Sequence, residues 1–147
     1  MDQYFINDDT LILIPLEKNI TKIFETNNSF IIKKNIMDIV DESCQYFGSS
    51  YRGRYIGSKS LLKMDYKLPI IVEEMKEIII FPTCSPRQDD CCWINLQNVE
   101  NYEKHNQHTI VYFKNKVSSD LDISYGSFEN QIFRSTMLLM TLKRRKK

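Results

Sequence analysis

The chain has 147 residues, 42% of them hydrophobic and 12% aromatic, with a formal net charge of +1. Those values exclude a disordered chain and suit one folded domain, or two small lobes around a shared core. No apolar run approaches the ~18 residues a membrane span needs, and the start Met1-Asp2-Gln3 is unlike a signal peptide, so a cytoplasmic location is expected.

The N-terminal third reads as strands. Leu11 to Leu16 is a short apolar run that Pro15 pushes to a sheet edge or a strand end. Ile20 to Glu25 and Phe30 to Lys34 flank Asn27-Asn28, a hairpin turn in which Asn would supply positive φ. Asn35 then suits an N-cap, and Ile36, Ile39, Val40, Ser43, Cys44 and Phe47 recur at helical spacing as a single stripe.

Gly48 stands where a helix end wants positive φ, and Ser49 or Ser50 can cap a second helix over residues 51–63. That helix has two adjacent stripes. Tyr51, Tyr55, Ser58 and Leu62 make an aromatic and apolar one, whereas Arg52, Ile56, Lys59 and Lys63 make a cationic one. From Arg52 to Lys63 the row spans roughly 16 Å at 1.5 Å per residue, so it can lie along a phosphate backbone. A solvated helix face has the same pattern, so the row alone does not decide the matter.

The middle third returns to sheet, with Leu68 to Val72 and Glu77 to Phe81 separated by the charged turn Glu73-Glu74-Met75-Lys76. The stretch from Pro82 to Asp90 is the longest loop, with Arg87 its sole cation. Trp93 to Leu96 and Val99 to Lys104 lead to a hairpin of His108 to Lys114 and Val117 to Ile123, turned at Asn115-Lys116. Ser124 or Ser127 caps a last helix through about Leu142, with Phe128, Ile132, Thr136 and Leu139 along one side and Phe133, Met137 and Met140 along the next. The strands, turn and capped helix at 20–47 and again at 108–142 form an internal echo of two lobes.

Charge is strongly segregated. Residues 51–76 carry net +3 and residues 134–147 net +6, while the two stretches between and before them carry net −4 each. Cations in two short blocks on an acidic body are the footprint of a polyanion-binding surface. The four cysteines, Cys44, Cys84, Cys91 and Cys92, lack paired C-x-x-C knuckles and are expected as free thiols without metal. His105 and His108 lie in a polar stretch with no nucleophile beside them, so an enzyme is not expected; a thiol enzyme would need a lowered pKa at Cys91 or Cys92.

Three segments together resemble the bacterial competence transcription factor family, ComK. They are Asp41-Glu42-Ser43-Cys44-Gln45-Tyr46-Phe47-Gly48-Ser49-Ser50-Tyr51 through Gly53-Arg54, then Phe81-Pro82-Thr83 with Cys91 and Trp93-Ile94, and Ile123-Ser124-Tyr125 with Ser127-Phe128-Glu129-Asn130-Gln131 and Arg134. Their order and separation cover nearly the whole chain. Cys92 departs from the pattern, standing where a glycine would fit, and residues 93–140 also look like the strand-rich LytTR-type DNA-binding module. The resemblance implies a non-enzymatic activator of DNA-uptake genes that binds paired A/T-rich boxes as a dimer or dimer of dimers and favours RNA polymerase binding. It also implies an adaptor that delivers the family to a protease through a tail beyond the point where this chain stops, which leaves that partner open.

The expectation is an α+β fold with a mostly antiparallel sheet, two central helices and a C-terminal helix. Residues 1–142 would form a single DNA-binding activator domain and 143–147 a basic tail. Arg52 and Arg54 would read groove shape, Lys59, Lys63 and Arg134 would neutralise phosphates, and Lys143, Arg144 and Arg145 would add nonspecific affinity. The motif carries over onto Gly53 and Arg54, whereas Arg52 stands where the family varies. No cofactor, metal or membrane is expected, and the site of action would be the bacterial nucleoid. The rival is a protein-interaction module without DNA affinity, its positive blocks serving an acidic partner.

Overall fold

The computed structural model describes residues 3–146. Nine strands and three α-helices follow in the order β1 (Thr10–Glu17), β2 (Ile20–Glu25), β3 (Ser29–Ile32), α1 (Ile36–Tyr46), α2 (Tyr51–Leu62), β4 (Ile70–Glu73), β5 (Ile78–Pro82), β6 (Trp93–Asn95), β7 (Val99–His105), β8 (His108–Phe113), β9 (Ser118–Leu121) and α3 (Tyr125–Arg145). A six-stranded sheet runs β3-β2-β1-β6-β5-β4, and a three-stranded sheet runs β7-β8-β9. Every pairing is antiparallel, which makes the fold α+β.

The large sheet is covered on both faces, as the unbroken apolar runs of β4 and β5 require. On one face Leu13, Ile23, Ile70, Val72, Ile78, Ile80 and Trp93 pack against Ile36, Ile39, Val40 and Cys44 of α1. On the other, Ile12, Phe81 and Ile94 meet Val111, Phe113 and Leu121 of the small sheet and Phe128 of α3. A register shift between Thr10 and Ile12 lets Leu11 join Ile12 on that second face, against strict alternation. Pro15 is tolerated because β6 pairs only with Ile12 and Leu13, leaving β2 as the lone neighbour there.

At the β4 edge the two helical layers meet. Tyr51 and Tyr55 of α2 pack on the first core, while Leu62 joins Leu138 of α3 over Leu68, Ile71 and Ile79. Ser58, fully enclosed, donates to the Pro69 carbonyl at 2.6 Å.

One expectation from the sequence needs correcting. Neither Asn27 nor Asn28 is among the described non-glycine residues with positive φ, which are Lys63, Lys67, Glu77, Asn106 and Lys116. The inward face of α3 is Phe128, Gln131, Arg134, Ser135 and Leu138, so part of the apolar surface points out: Phe133, Met137 and Met140 are 59%, 47% and 58% exposed. Most of the inward polar groups find a partner, the Arg134 Nε being left without one among the described residues. Gln131 donates to the Lys67 and Pro82 carbonyls at 3.0 and 2.8 Å, and Ser135 donates to the Gln131 carbonyl at 2.7 Å. No helix among the described residues is long and apolar enough to cross a membrane.

Candidate nucleic-acid interface

The junction between α1 and α2 is set by local chemistry. Asn35 Oδ1 accepts from the Met37 N–H at 2.9 Å and starts α1. Gly48, at φ +90°, ends it, with the Ser49 N–H returning to the Cys44 carbonyl at 3.0 Å. Ser50 Oγ then caps α2 by accepting from Gly53 N–H at 2.9 Å, and Asp41 Oδ1 accepts from Tyr51 N–H at 2.8 Å. Position 53 is crowded: a Cβ there would lie 3.0 Å from Ser49 Oγ and 3.2 Å from Ser50 Oγ, so a side chain would press on the hydroxyl that caps the helix.

The two stripes of α2 separate as its spacing predicts. Ser58 and Leu62 are buried and Tyr51 and Tyr55 half-buried, whereas Arg52, Ile56, Lys59 and Lys63 are exposed. Lys59 lies 3.4 Å from Asp65, yet its side chain stays 53% exposed, so the pair is open to exchange.

Beside this row lies a groove of about 600 Å³ between α2, residues 65–68 and the 82–90 loop. Tyr51, Tyr55 and Tyr66 supply aromatic surface, and Arg52, Lys67 and Arg87 supply charge. Its walls are braced. Tyr51 meets Trp93 edge-on at 6.2 Å, Tyr55 donates to Asp65 Oδ1 at 3.2 Å, and the Lys67 ammonium sits 5.2 Å from the centre of the Tyr66 ring. Lys67, Tyr66 and the groove role of Arg87 escape a reading by periodicity, because loops distant in sequence bring them to α2. The one local signal is Arg87 as the lone cation of a long loop.

The remaining predicted residues scatter. Arg54, although on α2, has a side chain only 20% exposed and pairs through Nη1 with Glu74 Oε1 at 3.2 Å. In this conformation its guanidinium is committed to that carboxylate and is not free to read a groove. Arg134 must be withdrawn as a phosphate contact. It is 8% exposed, donates to Gln131 Oε1 at 3.0 Å and to the Tyr66 carbonyl, and so braces α3 against the segment that forms the groove wall. Burial pulls its pKa down, as it does for any enclosed cation.

The basic run begins inside α3, which reaches Arg145. Lys143 pairs with Glu77 at 2.9 Å and Lys146 with Glu74, while Arg144 and Arg145 are exposed. The hydrogen bond from Lys146, followed by that from Arg54, holds the Glu74 carboxyl below the usual carboxylate range.

The thiols have a different environment. Burial pushes Cys44, Cys84 and Cys92 up to about 12 and raises Cys91 as well, so they are protonated near neutral pH and poorly nucleophilic. His105 and His108 share Asp120 at 3.5 and 3.0 Å on the small sheet, with Asp122 3.4 Å from His108 Nε2.

Taken together, the architecture is that of a small α+β module presenting an aromatic groove, lined by Arg52, Lys67, Arg87 and Asp65, beside a row of exposed cations. The family model described as ComK protein matches residues 1–147. The chain is also 37% identical over 142 residues to the competence transcription factor of Bacillus subtilis (strain 168), an alignment covering 94% of this chain and 74% of that one. It belongs to the ComK family. No solved structure matches it.

Proposed function

We propose that the protein is a sequence-specific DNA-binding transcriptional activator of competence genes, acting on A/T-rich promoter boxes in the cytoplasm at the nucleoid. The observation that carries this reading is the alignment of Arg52, Lys59 and Lys63 along the open side of α2, next to a groove holding Lys67 and Arg87. Family membership supports it, since the Bacillus subtilis relative is a competence transcription factor.

A row of this pitch can follow phosphates, while Arg52 at the groove mouth suits the narrow, electronegative minor groove of A/T-rich duplex. Tyr51, Tyr55 and Tyr66 offer flat surface to sugars and bases. The contacts assigned are Arg52, Lys59 and Lys63, joined by Lys67 and Arg87, with Arg144 and Arg145 adding nonspecific attraction. Arg54 and Lys143 contribute only after leaving their carboxylates. The whole chain works as one domain, with the basic run a continuation of α3. The outward strip of Phe133, Met137 and Met140 supports self-association into a dimer or dimer of dimers, and soft methionine surfaces suit such contacts. RNA polymerase is the second partner.

The test is a binding titration against an A/T-box duplex at several salt concentrations. Log affinity should fall linearly with log salt, with a slope of about −0.9 per phosphate contacted. Absence of duplex affinity, with an acidic protein partner still bound, would favour the protein-interaction alternative.

A further inference from the structure

The β4–β5 turn gathers charge from two helices that are remote in sequence. Arg54 of α2 reaches Glu74 at 3.2 Å, Lys143 of α3 reaches Glu77 at 2.9 Å, and Lys146 reaches the second oxygen of Glu74. Lys76, the cation within the turn, faces Asp8 at 3.6 Å and leaves those two carboxylates to the helices. The turn stands proud of the surface, its Met75 being 92% exposed.

Backbone geometry sharpens the picture. Glu77 sits at φ +57°, a left-handed conformation that glycine or asparagine adopts with less strain. A carboxylate is kept there against local preference, and its Oε2 atom is shut off from solvent beside Lys143. Glu74 is held below the ordinary carboxylate range by Lys146 and Arg54 and so stays ionised at neutral pH.

The Arg54 pair is the more enclosed, its arginine side chain 20% exposed, but the two lysine pairs are partly open. The side chains of Lys143 and Lys146 are 62% and 54% exposed, and those of Glu77 and Glu74 are 35% and 32% exposed. Ion pairs of this exposure are weak and exchange readily. A phosphodiester, like a carboxylate, offers two anionic oxygens to a cationic donor, and binding it also releases condensed counterions.

We propose that Glu74 and Glu77 act as an internal competitor for duplex phosphate, occupying on Arg54, Lys143 and Lys146 a second phosphate-binding site that nucleic acid takes over by displacing the turn. This rests on the DNA-binding reading given above. The protein then has two modes of contact. The open row of α2 makes the first encounter, and the masked trio engages only where the duplex field is strong enough to exchange with the turn.

The experiment uses the full chain, a fluorescein-labelled A/T-box duplex and a scrambled duplex of equal length. Glu74→Gln with Glu77→Gln should raise affinity for both duplexes about 10-fold near 0.1 M salt and steepen the log–log salt slope by about two to three, at ~0.9 per unmasked cation. Removing two negative charges would also help by simple field effect, so the same pair of changes is made in an Arg54→Gln, Lys143→Gln, Lys146→Gln background, where only that smaller field effect should remain and the steepening of the salt slope should be lost. Glu77→Asn is a second probe that suits the φ and should reproduce part of the gain without lowering the melting temperature. An equal gain in both backgrounds, or none in the native background, overturns the competitor. Loss of all duplex affinity in every variant, wild type included, overturns the DNA-binding reading with it.

Discussion

The chain builds the same unit twice, and the two copies end differently. In β1-β2-β3-α1 and in β7-β8-β9-α3, three antiparallel strands lead to a helix capped by a polar side chain, Asn35 in one and Ser124 in the other. The second residue of each middle strand is a buried threonine. Thr21 donates to the Lys34 carbonyl at 2.9 Å and Thr109 to the Ile123 carbonyl at 2.8 Å, each two residues before its helix begins. Yet α1 stops after 11 residues and turns an almost wholly apolar stripe inward, whereas α3 runs for 21 and buries Gln131 and Arg134. The shared part fixes how strand hands over to helix. The divergent part fixes what each helix is for: α1 seals a core, while α3 braces the groove wall and carries cations to the β4–β5 turn.

The sharpest way to break the comparison lies at equivalent positions, ten residues after each cap. Arg134→Met should cost about 3 kcal/mol in urea unfolding, because the Tyr66 carbonyl and Gln131 lose a buried donor, whereas exposed Gln45→Ala should cost less than about 0.5 kcal/mol. Next come Thr21→Val and Thr109→Val. Each strands a carbonyl and should cost about 1–2 kcal/mol, and losses differing by more than ~1 kcal/mol would deny that the two threonines do the same job.

Function separates the units further. Arg52→Ala should leave unfolding unchanged while weakening duplex binding several-fold and flattening the salt slope by about one. Gly57, on the helix that follows the first unit, has no atom within 4 Å of a built Cβ. Gly57→Ala should therefore stabilise the fold by about 0.5–1 kcal/mol, and reduced duplex affinity in the same variant would reveal close backbone approach by the ligand.

The smallest effect is titration of Glu74. Its pKa is depressed in the folded protein, so its pairing with Lys146 and Arg54 contributes fully above about pH 4.3, the ordinary glutamate value, and is lost as pH falls through the lower folded value. Hydrogen exchange over the last turn of α3 should thus be flat from neutral pH to about 5 once corrected for intrinsic rates, and should rise only below that.

What could be read from the residues in advance is instructive. The cap at Asn35, the positive φ of Gly48 and the two faces of α2 follow from interactions within a few residues and were legible, while the caps at Ser50 and Ser124 were legible only as one of two nearby serines each. The inward face of α3 was not, because Gln131 and Arg134 are buried only by virtue of acceptors 49 to 68 residues away. Even so, Phe128, Gln131, Ser135 and Leu138 fall at i, i+3, i+7 and i+10, a helical stripe hidden by its polar members. The groove failed for the same reason. Arg54 looked like a free cation until the fold brought Glu74 to it from 20 residues downstream.

The order of strands in the large sheet has a further consequence for how the molecule is made. β6 fits between β1 and β5, so the slot at the middle of the sheet stays open until residues 93–95 have left the ribosome. Until then a nascent chain displays two unpaired edges flanked by isoleucines, the kind of surface that invites chain-to-chain pairing. Asn95 at the end of that strand and Asn98 just after it both donate to the Thr10 carbonyl, at 2.9 and 2.7 Å, stitching the first strand of the large sheet to its last. The large sheet can therefore close only once β6 is available, and variants that weaken β6 should be recovered as aggregate rather than as misfolded monomer.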